Sequence, residues 1–513
     1  MEEKSYKSLK SGSDIRGIAV QTEDSDVTLT IEAIIDITKA FLKWLSDRTD
    51  KNSFNIAVGN DVRISSDAIY TAVQKAIVES GCNLYYCGVS TTPSMFMLLK
   101  DENWDCDASV MITASHLPFD KNGLKFFTPE GGLSGGDIDE IISLAEKGAA
   151  LPRRLGTVTE KSYMNDYCRK LVNIVRTGTG KSAPLFGKRI IVDAGNGVGG
   201  FFVKKVLQQL GAITDGSINL EPDGNFPAHI PNPEDPTAIQ ALSNAVLASK
   251  AELGIIFDTD VDRAAIVDGD GSHINRDSLI ALTAATILSE RSATIVTDSV
   301  TTDGLTEFIE DLGGSHVRFK RGYKNVIEEA KRRNAIGEYC PLAMETSGHA
   351  AFADNYFLDD GAYLVCKLLI AYSEQSAKKE KLGDLIADLK LPWEEDEIRV
   401  RFNVHSEDFR REGQRIIDEI KYFAEKDSRW TVAPNNYEGV RINFKKGEGG
   451  GWALIRMSVH DPVMPINFAS NEKGGDRKMA KSLYYILDKY PFLFTGTLKK
   501  FIDGDKKQSQ KKR

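Results

Sequence analysis

No stretch of the sequence carries the ~18 consecutive apolar residues that a membrane-spanning helix needs, so no membrane partner is expected. Cysteine is scarce. The six residues are Cys82, Cys87, Cys106, Cys168, Cys340 and Cys366, and none forms a C-x-x-C pair or a zinc-finger spacing. This argues against structural zinc and predicts reduced thiols in an intracellular compartment. An excess of positive charge is missing as well. The net charge of −9 disfavours nucleic acid and anionic membranes as partners, and an anionic substrate would need a local basic pocket. The opening MEEKSYKSLKSGSDIRG lacks a signal-peptide core. The expected location is cytoplasmic, or plastid for a longer chain bearing a transit peptide. Short repeats of the solenoid kind are absent, and the basic end KKQSQKKR reads as a solvated tail.

What is present is a chain of 513 residues, 41% apolar and 27% charged, the balance of a soluble globular protein. At roughly 100–200 residues per domain it should hold three or four domains. Short apolar runs such as FNIAVG, RIIVDAG, LGIIFD and TIVTDS read as buried strands. Segments such as AIYTAVQKAIVESG and FFVKKVLQQLGA have helical periodicity and end near a glycine. Their alternation predicts α/β units with largely parallel sheets. From Ile398 the pattern changes. IRVRFNV, GVRINFKK and GWALIRMSVH alternate with period two, as antiparallel strands with one solvated face do, and a helical stretch lies around Arg411–Asp427. Seams are expected at LPRRLG and TGTGKSAP, near Gly269–Gly271, and from AKKEKLGD through LPWEED. The expected division is residues 1–160, 161–272, 273–393 and 394–513.

Five segments carry chemistry. Thr113-Ala114-Ser115-His116 follows the apolar run Ala108–Ile112, so Ser115 sits just past a strand's C-terminal end, where ligand sites of open α/β sheets gather. Taken alone the tetrapeptide reads better as a turn serine and a surface histidine. Asp258-Thr259-Asp260-Val261-Asp262-Arg263 follows the strand-like Gly254–Phe257. Alternate residues of extended backbone point the same way, so three carboxylates converge, and hard oxygen ligands of this kind suit magnesium. A calcium EF-hand does not fit: Arg263 stands at the loop's glycine position, Gly269 at its bidentate glutamate position, and a strand precedes the run. Gly195-Asn196-Gly197-Val198-Gly199-Gly200 matches G-x-G-x-x-G, with Asp215 downstream. A dinucleotide site is one reading of it, and a tight strand-to-helix turn is the other. Glu345-Thr346-Ser347-Gly348-His349 combines groups that suit sugar hydroxyls. Arg456-Met457-Ser458-Val459-His460-Asp461-Pro462 ends a predicted strand and is suited to holding a phosphate.

In this order the five segments resemble the α-D-phosphohexomutase superfamily of phosphoglucomutase, phosphomannomutase and phosphoglucosamine mutase. That family carries a T-A-S-H phosphoserine loop, a D-x-D-x-D-R magnesium loop, an E-x-S-G-H-type sugar loop and an R-x-S-x-T-x-P phosphate loop. The resemblance runs from Gly12 to about Ser470 and takes in Ser13-Asp14-Ile15-Arg16-Gly17, Asn122-Gly123-Leu124-Lys125 and Gly322-Tyr323-Lys324. It implies three related α/β domains with mixed sheets plus a C-terminal α+β domain around a central active-site cleft.

The resemblance also implies roles. Ser115 is the phosphoserine and, with Asp258, Asp260 and Asp262, a magnesium ligand. Arg16, Lys125 and Arg263 surround it with positive charge. His116, Lys324 and His349 are candidates for proton transfer or for ordering it. Glu345 and Ser347 bind sugar hydroxyls, while Arg456, Ser458 and His460 hold the substrate's second phosphate. The reaction implied interconverts hexose 1-phosphate and hexose 6-phosphate through a hexose 1,6-bisphosphate, in a monomer or weak homodimer. Glucose, with mannose as the second choice, is expected ahead of glucosamine, because Glu345 stands where phosphoglucosamine mutases carry glutamine; glucose against mannose turns on the orientation of one hydroxyl, which no residue here decides. The chain departs from the family pattern at Leu117, His460, Asp461 and Pro465, where asparagine, threonine, glutamate and a basic residue are usual. A phosphoglucosamine mutase, a sugar-phosphate binder without catalysis and a nucleotide-dependent oxidoreductase are the alternatives.

Overall fold

A computed structural model describes residues 5–403, 409–458 and 462–504. The chain divides into two compact units. One contains Met1–Leu279 and Ser347–Leu385, the other Ile280–Thr346 and Ile386–Arg513.

The first unit holds a large mixed sheet in the order Lys10–Ser11, Asp14–Ile18, Lys121–Thr128, Ala108–Ile112, Asn55–Asn60, Asn83–Val89, Val158–Glu160. The central strands Asn55–Asn60, Asn83–Val89 and Ala108–Ile112 run parallel, and Lys121–Thr128 pairs antiparallel with both Ala108–Ile112 and Asp14–Ile18. Ala108–Ile112 is buried throughout, as a parallel strand covered on both faces must be. Helices Ile31–Thr49, Ser66–Glu79 and Gly135–Glu146 supply Ile34, Ile37, Phe41, Ile69, Val73, Ile138 and Ile141 to the core beside the sheet. At Gly123 an added Cβ would lie 2.2 Å from the Ile15 carbonyl oxygen. Only glycine lets these two strands approach, and the approach sets Arg16 opposite Gly123.

A second sheet in this unit orders His273–Ile274, Ala264–Asp268, Leu253–Phe257 and Ile190–Asp193. Leu253–Phe257 runs parallel to Ile190–Asp193 and antiparallel to Ala264–Asp268. The hairpin so formed carries the acidic run in its turn. FFVKKVLQQLGA is helical as expected but not regular: Val203–Leu207 forms a π-helical turn, which apolar periodicity does not distinguish from an α-helix. The AITDGS stretch makes isolated bridges, Arg189 with Ile213 and Asp193 with Ile218, so no second full strand follows the glycine run.

In the second unit, Thr294–Thr297 runs parallel to both Ser315–Arg318 and Leu342–Met344. The C-terminal part is an antiparallel sheet ordered Trp430–Val432, Val440–Phe444, Gly451–Ile455, Val463–Ser470, Glu394–Phe402 and Leu493–Phe494. Helices Phe409–Lys426 and Gly475–Leu487 bury Ile416, Ile417, Ile420, Met479 and Leu483 in its core. The sequence therefore forms the expected α/β segments with mixed sheets and a C-terminal α+β part. One seam is shorter than expected: Glu394 through Asp396 lie within a strand, paired with Ser470 to Phe468. Ladder pairing overrides the acidic, linker-like composition there. Among the described residues, no helix is long and apolar enough to cross a membrane, and all six cysteines are unbridged.

Candidate active site

Ser115 lies in the loop after Ala108–Ile112 and is 1% exposed. Its φ is +52°, a left-handed conformation rare outside glycine, asparagine and aspartate. Such strain persists only where surroundings enforce it. The Ser115 N–H donates to Thr113 Oγ1 at 2.9 Å, and Thr113 Oγ1 donates to Asp61 Oδ2 at 2.7 Å. The Ser115 hydroxyl donates to Asp258 Oδ2 at 2.9 Å and lies 3.3 Å from His116 Nδ1.

Asp258, Asp260 and Asp262 are buried, and each offers a carboxylate oxygen to one cluster in which all the atoms lie within 4.8 Å of one another. Asp260 Oδ1 and Asp262 Oδ1 are buried without a hydrogen-bond partner. The turn is strained as well, with Val261 at φ +66°, an outlier for a β-branched residue. Burial, and repulsion from Asp262 and Asp260, drive the Asp258 carboxyl well above its ordinary range. Burial also pushes Asp262 up, but Lys125 and Arg263 among its neighbours outweigh it and hold Asp262 well below. Three carboxylates in a dry site, two with orphaned oxygens, fit a hard divalent cation such as magnesium.

The positive groups come from separate elements. Lys125 Nζ sits 2.5 Å from Asp262 Oδ2 and 3.6 Å from Asp260 Oδ2. Arg16 is held by Asp14 at 2.9 Å. The Arg263 N–H donates to Asp258 Oδ1 at 3.2 Å, and its Nε donates to His349 Nε2 at 3.2 Å. Because His349 Nε2 accepts, its proton lies on Nδ1, which donates to Ser347 Oγ at 2.8 Å. Burial and Arg263 hold His349 neutral, far below its usual range. Gly348 makes this contact feasible: its φ is +92°, and an added Cβ would stand 2.7 Å from the Ala264 carbonyl oxygen. Arg263, then burial and Arg16, push His116 down to about 2, so it too is neutral.

Ser115, His116, Arg16, Lys125, Asp258, Asp260, Asp262, Arg263, Ser347 and His349 all belong to the first unit. Lys324, Glu345, Arg456 and Ser458 belong to the second. There, Glu345 Oε1 accepts the Gly322 N–H at 2.6 Å, and Thr346 Oγ1 donates to Asp298 Oδ2 at 2.9 Å. Lys324 lies 3.7 Å from Glu328 one helical turn along. Arg456, 6% exposed, lies 3.8 Å from Glu397, as does Arg321. Burial lowers Arg456 from the usual arginine value. Burial pushes Glu397 up, but Arg399, Asn467 and Arg321 outweigh it and bring it to about 2. The Ser458 N–H donates to the Val463 carbonyl at 2.9 Å. His460 lies outside the described residues.

Several residues of these clusters lie outside the five segments, among them Asp61, Arg63, Thr92, Arg321, Asp298 and Glu397. Asp61 and Arg63 follow the strand Asn55–Asn60, and Thr92 follows Asn83–Val89. The strand-end rule that pointed to Ser115 applies to them equally. Thr92 Oγ1 donates to Asp260 Oδ2, and its N–H donates to the Asp260 carbonyl at 3.0 Å.

An α/β framework that gathers a strained serine, three carboxylates and several cations at strand ends defines a centre suited to phosphoryl transfer. The chain matches phosphoglucomutase/phosphomannomutase alpha/beta/alpha domain I over residues 7–151, domain II over 165–271 and domain III over 275–390. It is 30% identical over 485 residues to a phosphoglucomutase of Neisseria gonorrhoeae, covering 94% of this chain and 96% of that one. It is 29% identical over 464 residues to a phosphomannomutase/phosphoglucomutase of Pseudomonas syringae, covering 89% and 90%. A crystal structure of a phosphoglucomutase/phosphomannomutase family protein from Burkholderia thailandensis shares the fold at a TM-score of 0.77 and 24% identity, covering 95% of this chain and 98% of that one. The chain belongs to the phosphoglucomutase/phosphomannomutase family, and is thus a phosphohexomutase, an isomerase.

Proposed function

We propose that this enzyme interconverts hexose 1-phosphate and hexose 6-phosphate by two phosphoryl transfers through Ser115, with a hexose 1,6-bisphosphate between them. The observation that carries this reading is the Ser115 hydroxyl 2.9 Å from Asp258 Oδ2, one of three clustered carboxylates. Glucose is the favoured sugar and mannose the second. The acidic Glu345 supports both over glucosamine, and the name borne by the Neisseria relative, a phosphoglucomutase, supports glucose ahead of mannose.

In the first transfer a sugar hydroxyl oxygen bonds to the phosphorus on Ser115 as the phosphorus–Oγ bond breaks. The hydroxyl proton leaves to a base, and Oγ takes up a proton. The bisphosphate then turns over, its other phosphate returns to Ser115, and the isomeric monophosphate departs. Asp258, Asp260 and Asp262, with Ser115, would hold magnesium, which when bound offsets the charge on the transferring phosphoryl oxygens. Arg16, Lys125 and Arg263 add positive charge on other sides. His116 Nδ1, 3.3 Å from Oγ, is a proton acceptor beside it, and a dianionic phosphate there would oppose Arg263 and raise its basicity. His349, with both ring nitrogens engaged, orients Arg263 and leaves Ser347 as a hydroxyl partner for the sugar. Glu345 reads sugar hydroxyls, Lys324 orders proton transfer, and Arg456, Ser458 and His460 hold the phosphate that is not reacting.

The functional division proposed is 1–160 for the serine loop, 161–272 for the metal loop, 273–393 for sugar recognition and 394–513 for phosphate binding. The unbridged cysteines support an intracellular compartment, cytoplasmic or plastid. A monomer or weak homodimer, acting on sugar phosphates alone, completes the reading.

The test is interconversion of glucose 1-phosphate and glucose 6-phosphate with magnesium and a trace of glucose 1,6-bisphosphate, alongside intact mass. Turnover together with one phosphate that Ser115→Ala removes is the expected result. Phosphorylated protein with no turnover of any hexose phosphate would sink the reading.

A further inference from the structure

The Ser115 loop has no regular secondary structure to hold its strained backbone, and the structure shows what holds it. Arg63 is fully buried in its side chain. Its guanidinium donates to three carbonyl oxygens of the serine loop and one at the start of the following strand: Ser115 at 2.5 Å, Leu117 at 2.6 Å, Pro118 at 2.6 Å and Lys121 at 2.8 Å. Its Nε donates to Asp61 Oδ2 at 3.1 Å. Asp61 in turn accepts the Thr113 hydroxyl at 2.7 Å, and Thr113 Oγ1 accepts the Ser115 N–H at 2.9 Å. Both sides of the Ser115 backbone, its carbonyl and its N–H, therefore lead back to one ion pair.

The pair is braced from a distant stretch of chain within the same unit. Phe226 lies over the guanidinium at 5.1 Å. Gly224 packs so closely on the Val62–Ile64 backbone that an added Cβ would stand 2.5 Å from the Val62 carbonyl oxygen. This loop lies within residues 165–271, which also carry the three aspartates.

We propose that Arg63 is a positioning residue for the phosphoryl-transfer serine: with Asp61 and Thr113 it fixes the Ser115 loop, and through Phe226 and Gly224 it registers that loop against the segment bearing the carboxylate ring. The inference rests on the reading of Ser115 as the group that carries phosphate. Arg63 touches no reacting atom. It acts through the serine backbone, and a planar fork of five donors is the side chain able to serve four carbonyls and a carboxylate at once. Lysine keeps the charge but cannot reproduce that pattern.

Two variants and a rescue test this in the full-length protein. Thr113→Val keeps the shape and removes the hydroxyl that links Asp61 to the Ser115 N–H, while Thr113→Ser restores it. Arg63→Lys keeps charge and loses the fork. Each is assayed for glucose 1-phosphate turnover with magnesium and glucose 1,6-bisphosphate, with intact mass for phosphate on Ser115 and a melting curve. A misplacement of the reacting group by an ångström costs about 100-fold. The expected result is a drop of about that size in kcat for Thr113→Val and Arg63→Lys, KM within about two-fold of wild type, and recovery in Thr113→Ser. Should Arg63→Lys fail to fold, the Thr113 pair decides alone. Wild-type kcat in Thr113→Val, or equal losses in Thr113→Val and Thr113→Ser, would overturn the positioning role. Failure of the underlying reading looks different: wild-type protein turns over without phosphate on Ser115, or Ser115→Ala retains activity.

Discussion

The two units meet their charges in opposite ways. In the first, Asp258, Asp260 and Asp262 are forced together, with Asp260 Oδ1 and Asp262 Oδ1 lacking partners. In the second, Arg456 and Arg321 share a carboxylate, Glu397, which Arg399 and Asn467 also serve. The first cluster is under-neutralised in a way that a cation would relieve. The second sets three guanidiniums around one carboxylate and leaves the buried Arg456 Nε without a hydrogen-bond partner, as a site that receives an anion can. Repulsion among buried like charges is costly and persists only where function needs it. Chemistry should therefore concentrate in the first unit and affinity in the second.

Substitutions can break that comparison. The largest effect is expected for Ser115→Ala, which should lower kcat by about 10⁴-fold or more, the scale of losing a covalent nucleophile, while removing the phosphate from the intact mass. A smaller loss anywhere near 10-fold would place the chemistry elsewhere. Next comes Asp260→Asn. Magnesium or manganese affinity, read by calorimetry on unreacted protein, should weaken by about 100-fold, since even partners behind a metal ligand contribute 10–100-fold. Unchanged metal binding would show that the ring of carboxylates is not the cation site.

Arg456→Ala probes the other unit. Loss of a charge-assisted hydrogen bond to a substrate phosphate, about 1.5–3 kcal/mol, should raise KM about 10–100-fold. Phosphate occupancy of Ser115 should be unchanged. A drop in kcat at constant KM would erase the division between the units.

The smallest effect concerns stability. His229 Nε2 lies 2.9 Å from Asp193 Oδ2, and Nδ1 lies 2.9 Å from the Ile230 carbonyl oxygen. Burial lowers the affinity of His229 for its proton, but the bond to Asp193, with the other acceptors, raises its pKa overall. A raised histidine stabilises fully below its unfolded value of about 6.5 and loses that contribution as pH climbs through the folded value. Wild type should therefore melt about 2 °C above His229→Gln in mildly acidic buffer, with the gap closing at alkaline pH. A gap that widens with pH would contradict the assignment.

Contiguous motifs made much of the first site legible. Ser115 and the three aspartates each sit within a few residues of an apolar run, so strand periodicity alone placed them at strand ends. The parallel α/β segments and the period-two change after Ile398 followed from the same patterning. Arg63 and Asp61 were not legible as partners of Ser115, because 52 residues separate Arg63 from it and no local pattern encodes four carbonyls meeting one guanidinium. Arg321 is hidden for a similar reason: it lies in a bend, and its neighbour Glu397 lies on a strand far along the chain. The π-helical turn at Val203–Leu207 keeps the same apolar face as an α-helix, so it too was hidden.

By itself the sequence determined which residue types end which strands, and hence the class of chemistry available. Those features depend on local backbone preference and on side-chain periodicity. Only the tertiary structure decided which charges are unpaired, that His116 and His349 are neutral, and what holds Ser115 in its left-handed turn. Each of these depends on distance and on exclusion of water, and both are set when segments far apart in the chain pack together.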